Sequence, residues 1–403
     1  MELLFCRMVY RKMKKIITDV VNFPNGCETV RFTACLVSML MRADGITDKD
    51  CDFFCSNQNT LAAWRKSFRK PKGNCIRCGQ CKDLVPINKK HEELYNLYTA
   101  VTGFGFLQID LSNDNHMKND WNQTCNVMLR EFDWYIGFAF DYAGYDFNEL
   151  VFPDNNKEKV FNDIKTSIDK DIPILAWFGK IYQWVLVTGY DDNGVLYGYD
   201  GSQGYWGKPA AEPVEYDENG LFMMPDWYEK GGGAFTLGAK KKPAVTIQDV
   251  FKRGIKIMES MKEKKYYSNT VDFMLNDANF DDLSDDELLK MRDRISGWIG
   301  QPIDQRAMLG SAMNPLRMGK EPDREIVAFN EVNRLCWTSH DVLWIAWRGI
   351  GEYMGGNKLE WARGLKNKTI RRMIADCFAF VRDHDDYMLE ELKKGVSETE
   401  EKA

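Results

Sequence analysis

The chain has 403 residues, of which 44% are hydrophobic and 28% charged, a globular composition long enough for two domains. Its net charge of −6 provides no positive excess to attract phosphates, which excludes a general nucleic-acid-binding protein. No apolar stretch approaches the length of a membrane span, and the apolar residues 3–5 are too few for a secretion signal. We therefore expect a cytoplasmic protein that binds neither nucleic acid nor membrane, with an N-terminal extension over residues 1–15.

Cys27 lies at the predicted start of a buried helix. Turn and helix-start residues at positions 22–29 precede an apolar run over 30–41 that contains no Gly or Pro. A thiol in the first turn of a helix is stabilised as the thiolate by the positive end of the helix dipole and by unpaired N–H groups. The position predicts a nucleophile, although a buried structural cysteine explains the same pattern.

Eight of the eleven cysteines lie in the first 81 residues, and five of them are closely spaced: Cys51, Cys55, Cys75, Cys78 and Cys81. The odd total and the lack of a secretion signal argue against a disulfide framework. Thiolates at two-residue spacing can converge on one ion, which favours structural zinc in an insertion at about 51–86. An iron–sulfur cluster is the less favoured ligand, and unliganded thiols remain open.

The middle of the chain alternates between helix and strand patterns. Apolar residues at helical spacing predict a helix over 157–168. Short β-branched and aromatic runs predict strands at 172–178, 184–190 and 195–200. The sequence Asn193-Gly194 between the last two runs predicts a tight β-hairpin.

From about residue 246 the pattern becomes helical throughout. We predict helices at 247–265, 282–299, 325–337, 338–355, 359–366 and 369–394. The second of them begins with a capping pattern at 284–287. A glycine-rich and then basic stretch at 231–243 marks the boundary. The predicted organisation is one domain over 16–240, a helical domain over 245–395 and a disordered tail over 396–403.

The order of a helix-initiating cysteine, a long insertion and a hairpin ending in aspartate resembles the papain-like cysteine peptidases. The matching residues are 26–29, 184–191 and 197–201. The resemblance is to bacteriocin-leader-peptidase-like domains and to the N-terminal domain of the butirosin biosynthesis protein H family, which transfers acyl groups. It implies an α+β, papain-like fold followed by an all-α C-terminal domain.

In those families a thiolate attacks a carbonyl, a histidine shuttles the proton, and an Asn or Asp orients the imidazole. The resemblance gives Cys27 the nucleophile position and Asp200 the orienting position. The histidine position holds Gln183, whose uncharged amide cannot take a proton from a thiol at neutral pH. Asn22 and Asn25 are the candidates for binding the oxyanion, and turn or cap roles explain them equally well.

Two functions follow from this pattern. The first is a non-classical acyltransferase or amide hydrolase acting on a small-molecule, peptide or acyl substrate. In it Cys27 attacks the substrate carbonyl, while Gln183 and Asp200 polarise the reacting groups. Attack on an activated thioester does not require an adjacent base, which favours transfer over peptide hydrolysis. The alternative is a pseudoenzyme, a ligand-binding or regulatory protein that keeps the cleft and has lost the proton shuttle. The sequence leaves the oligomeric state unspecified.

Overall fold

The computed structural model describes residues 14–21, 30–47, 53–54, 87–113, 128–153, 155–179, 183–200, 214–317, 327–351, 354 and 356–401. They divide into two compact units. The sheet unit comprises the described parts of Met1–Gly26, Ser38–Cys51 and Phe147–Ala239. The helical unit comprises those of Cys27–Val37, Asp52–Asp146 and Lys240–Ala403. Helices and a largely antiparallel sheet together confirm the α+β class; the predicted domain limits remain predictions.

The strands are β1 Lys14–Ile16, β2 Phe53–Phe54, β3 Ile87–Asn88, β4 Tyr145–Phe152, β5 Ile174–Phe178, β6 Gln183–Asp191, β7 Leu196–Tyr199, β8 Glu215–Tyr216, β9 Phe222–Met224 and β10 Gly232–Lys240. In the described part of the chain, eight of them form one sheet in the order β4-β10-β5-β6-β7-β9-β8, with β1 paired to β6. The pairs from β10 to β8 along this order are antiparallel, as is β1 with β6. The predicted hairpin at Asn193-Gly194 is confirmed as β6–β7.

The helices are α1 Arg31–Ala43, α2 Lys89–Val101, α3 Tyr135–Ala143, α4 Lys157–Asp169, α5 Ile247–Glu263, α6 Tyr266–Leu275, α7 Asp285–Arg317, α8 Val327–Gly349, α9 Lys358–Gly364 and α10 Lys368–Glu401. Short 3-10 turns cover Phe104–Phe106 and Asp277–Asn279. α1 confirms the predicted buried helix, but it begins at Arg31 after the non-helical Val30. The predicted place of Cys27 in its first turn is therefore wrong, since the helix starts four residues after Cys27.

In the sheet unit, α4 confirms the helix predicted from apolar spacing. Its first turn is capped by Asn156, whose side chain accepts a hydrogen bond from the N–H of Lys159 at 3.1 Å. The apolar positions Val160, Ile164 and Ile168 are all buried. The core also contains a chain of aromatic contacts, with ring centroids 5.3 to 6.2 Å apart, among Phe152, Phe161, Phe178, Phe222 and Trp227.

Three helical predictions differ from the structure. The helix predicted at 282–299 continues to Arg317 as α7. The separate helices predicted at 325–337 and 338–355 are one helix, α8, because the polar residues Thr338 and Ser339 do not interrupt it: the Thr338 hydroxyl bonds back to the Arg334 carbonyl at 2.9 Å. The predicted disordered tail is helical through Glu401, since α10 continues over Gly395 and the buried Val396. A side chain at Gly395 would meet the Phe329 ring at 2.5 Å, so glycine permits this close packing.

A buried ion pair lies inside the helical unit. Arg306 of α7 and Asp385 of α10 have side chains 0% and 1% exposed, and Nη2 is 2.5 Å from Oδ2. Gln108 donates to the same carboxylate oxygen at 2.9 Å, and Arg306 also donates to the carbonyl of Gly105. Burial disfavours the Arg306 cation, but the adjacent carboxylate outweighs that effect and raises the guanidinium pKa above its ordinary value. The pair therefore connects α7, α10 and the segment after α2.

Candidate functional site

The predicted site residues are only partly described. Gln183 has a described backbone position, and Asp200 is described with its side chain. The remaining candidates lie outside the described residues: Cys27, Asn22, Asn25 and the metal-ligand candidates Cys51, Cys55, Cys75, Cys78 and Cys81. Their assignments stay predictions.

Gln183 and Asp200 lie at the same end of two neighbouring strands. Gln183 is the first residue of β6, where it pairs with Phe178 of β5. Leu186 of β6 pairs with Tyr199, the last residue of β7, and Asp200 follows directly. Antiparallel strands place the start of one beside the end of the next. The two positions therefore lie at the same end of the paired strands β6 and β7.

Asp200 is a buried carboxylate with an aromatic partner. Its exposed fraction is 2%, and the Tyr216 hydroxyl donates to Oδ2 at 2.5 Å. Tyr216 lies on β8 and is 39% exposed. Sequence reasoning missed Tyr216, because β8 is only two residues long and gives no periodic signal.

The sequence does contain one feature that singles out Tyr216, a five-residue turn motif that occurs twice. Tyr190-Asp191-Asp192-Asn193-Gly194 and Tyr216-Asp217-Glu218-Asn219-Gly220 share the pattern Tyr-Asp-x-Asn-Gly. Each aspartate closes its turn by accepting two backbone N–H groups: Asp191 from Asn193 and Val195, and Asp217 from Asn219 and Leu221, all at 2.9 to 3.0 Å. Each glycine has a positive φ, +79° and +77°. In each copy the tyrosine hydroxyl then reaches a distant aspartate.

The start of α1 in the helical unit contacts two other helices, α2 and α3. The N–H of Val30 donates to the Tyr95 hydroxyl of α2 at 3.0 Å, and the Phe32 ring contacts the Tyr135 ring edge-on at 5.0 Å. Arg31, in the first helical turn, is only 6% exposed. A buried cation and the positive end of a helix dipole both favour negative charge just before the helix. This is the stretch of sequence that contains Cys27.

The described histidines serve structural roles. His91 of α2 is buried, with Nε2 3.4 Å from the Ala34 carbonyl of α1. His340 uses both ring nitrogens: Nε2 accepts from Trp344 at 3.0 Å, which assigns the ring proton to Nδ1, 3.0 Å from Asp341. Burial lowers the pKa of His340 against the raising effect of Asp341. The His384 ring contacts the Phe380 ring in a tilted arrangement with centroids 4.1 Å apart, and burial lowers the pKa of His384 as well.

The described cysteines are buried thiols, unlike the thiolate predicted for the nucleophile. Cys35, Cys336 and Cys377 are buried. Burial raises the pKa of Cys336 to about 12 and that of Cys377 to about 11, so both are protonated at neutral pH. Among the residues that the structure describes, no group of three or more His, Cys, Asp or Glu side chains could hold a metal ion. The zinc prediction is untested, since its five cysteines lie outside this part of the chain.

A groove in the sheet unit offers space for a ligand. Its volume is about 720 Å³, and it lies between α4 and the strands β4 and β10. Lys159, Asp163 and Lys170 line the α4 side, and Asn148 and Glu149 line the β4 side. The charges balance, and neither Gln183 nor Asp200 lines the groove. It is therefore separate from the two described candidates, Gln183 and Asp200.

None of the described helices combines the length and apolarity that crossing a bilayer requires.

No protein-family model, curated protein or solved structure matches this chain.

Proposed function

We propose that this chain is a cysteine-dependent acyltransferase or amide hydrolase of papain-like fold, with Cys27 as its nucleophile. The observation that carries the proposal is the position of Asp200, a carboxylate 2% exposed that directly follows β7 at the sheet edge where β6 begins. The resemblance assigns the orienting residue to this strand end. A buried carboxylate has a desolvation cost, which a role in chemistry would explain.

The start of α1 supports the nucleophile assignment. Cys27 precedes Val30 by three residues, and Val30 is bound to the Tyr95 hydroxyl. A buried cation such as Arg31 and the positive end of a helix dipole both favour the thiolate form of a thiol that lies close to them. In the reaction, the Cys27 thiolate attacks the carbonyl carbon of a thioester, forms an acyl-cysteine and displaces the donor's thiolate. A nucleophilic acceptor or water then attacks the acyl carbon, the bond to the Cys27 sulfur breaks to release the thiolate, and the acceptor's proton passes to solvent.

Alkylation by iodoacetamide at graded pH tests the proposal. We expect the rate at Cys27, followed by mass spectrometry of its peptide, to rise with a midpoint below about 8.5, the value of an ordinary cysteine. Cys35, which is 0% exposed in α1, serves as the unreactive internal reference. Substitution Arg31→Gln should raise the Cys27 midpoint by about one pH unit, since a nearby positive charge is removed.

Arg42→Gln is the matched control, because Arg42 lies in the last turn of the same helix. It should leave the midpoint unchanged. The competing candidate is a ligand-binding or regulatory protein without catalysis, which the glutamine at position 183 favours. A wild-type Cys27 that titrates near 8.5 would reject the enzyme and leave that candidate.

A further inference from the structure

We propose that the groove between α4 and the strands β4 and β10 binds a short zwitterionic peptide, about three residues long, by its two charged ends. The groove has a volume of about 720 Å³, the size of a small-ligand pocket, and the residues that line it all belong to the sheet unit. The site therefore needs neither Cys27 nor the helical unit, and the inference is independent of the proposed function.

The floor of the groove is formed by β10 and its neighbour β4. The N–H of Lys241, just after β10, donates to the carbonyl of Gly144, just before β4, at 2.8 Å. Toward the other end, a Cβ on Gly233 would lie 3.3 Å from the Leu150 carbonyl oxygen. The two strands therefore run antiparallel, and Thr236 of β10 lies beside the middle of β4.

Thr236 places a buried hydroxyl in this floor. Its exposed fraction is 6%, and it lines the groove. The adjacent Phe235 ring contacts the rings of Phe147 and Trp184, so Thr236 points to the other face of the sheet. Among the residues that the structure describes, the Thr236 hydroxyl has no hydrogen-bond partner. A buried hydroxyl without a protein partner favours a polar ligand group that can bind it.

The opposite wall of the groove carries charges of alternating sign. Lys159, Asp163 and Lys170 line it from one side of α4 and its C-terminal end. In the described part of the chain none of the three forms an ion pair. Glu149 of β4 balances the second lysine, so the lining has no net charge. A ligand with charges of both signs complements this wall, whereas a simple anion or cation would meet repulsion as well as attraction.

The spacing along α4 indicates the length of the ligand. Asp163 and Lys170 are separated by about 10 Å along the helix axis, at ~1.5 Å per residue. An extended tripeptide spans about the same distance, at ~3.3 Å per residue. Between the two charges, the hydroxyls of Thr166 and Ser167 donate to backbone carbonyls at 2.8 and 3.0 Å, and their oxygens can still accept from peptide N–H groups. The peptide ammonium then binds Asp163, its carboxylate binds Lys170, and a peptide carbonyl accepts from Thr236.

Calorimetric titration of the full chain with trialanine and two blocked forms tests the charge pairing. N-acetyltrialanine lacks the ammonium, and trialanine amide lacks the carboxylate. We expect trialanine to bind about tenfold more tightly than either blocked peptide. Asp163→Asn should remove its advantage over N-acetyltrialanine, and Lys170→Gln its advantage over the amide. Glu158→Gln and Lys165→Gln, on the same helix but outside the groove, are the matched controls and should leave all three affinities unchanged.

Thr236→Val tests the buried hydroxyl, because valine keeps the shape of threonine and suits a strand. We expect it to weaken all three peptides about five- to tenfold, as the loss of one hydrogen bond predicts. Hydrogen exchange should show that trialanine protects amides of α4 and β10. The inference is overturned if trialanine fails to bind, if the three peptides bind alike, or if Thr236→Val and Asp163→Asn leave the affinity for trialanine unchanged. Tighter binding of succinate or spermidine than of trialanine would equally overturn it, since the groove would then be a site for simple ions.

Discussion

Replacing Arg306 with methionine is expected to lower the free energy of unfolding of the helical unit by about 3–5 kcal/mol. The substitution leaves Asp385 as an uncompensated charge that is 1% exposed, and it removes the donor to the Gly105 carbonyl. Of the hydrogen-bond donors to this carboxylate in the described part of the chain, Gln108 is the one that remains. The change can be measured as a shift in the urea midpoint and as faster hydrogen exchange of the α7 and α10 amides.

Arg363→Met is the matched control for this prediction. Arg363 also contacts an aspartate at 2.5 Å, but the side chains of Arg363 and Asp285 are 55% and 49% exposed. Solvent screens such a pair, so its loss should cost less than about 1 kcal/mol. A comparable cost for the two substitutions would show that burial does not set the strength of the Arg306–Asp385 pair. The double variant Arg306→Met/Asp385→Leu should regain much of the loss, since no charge is then left unpaired.

Replacing Gly198 with alanine is expected to destabilise the sheet unit by about 3 kcal/mol. The added Cβ would lie 2.1 Å from the Leu186 carbonyl oxygen of β6 and 2.9 Å from the Phe222 ring of β9. β7 is paired on both sides, so it cannot move away from one neighbour without disturbing the other. Hydrogen exchange should accelerate at β6, β7 and β9, the strands that lead to Asp200.

Gly297→Ala in α7 is the control for the effect of a new methyl group. Gly297 is exposed within the helix, and an added Cβ would meet no atom within 4 Å. This substitution should stabilise the protein by up to about 1 kcal/mol, because alanine favours the helix more than glycine does. A Gly198→Ala variant as stable as the wild type would contradict the prediction, because it would show that β7 can accommodate a side chain against β6.

The sequence by itself predicted the elements that local patterns specify. α4 and the β6–β7 hairpin follow from apolar spacing and from Asn193-Gly194, and the capping pattern at Ser284 is confirmed by its hydrogen bonds with Glu287. These signals depend on residues only a few positions apart. The same local reasoning failed at the chain end, where α10 continues past Gly395 because it packs against Phe329, a residue far away in sequence.

For the candidate site, the sequence predicted which residues stand at the end of β7 and the start of β6, namely Asp200 and Gln183. Only the tertiary structure decided that Asp200 is buried and that Tyr216 is its partner. Sixteen residues and two strand pairings separate these two side chains, so no local pattern could indicate the contact. The Arg306–Asp385 pair is the same case in the helical unit, since 79 residues separate its partners. Burial and long-range hydrogen bonds arise from how the elements pack, and packing is not encoded in the spacing of neighbouring residues.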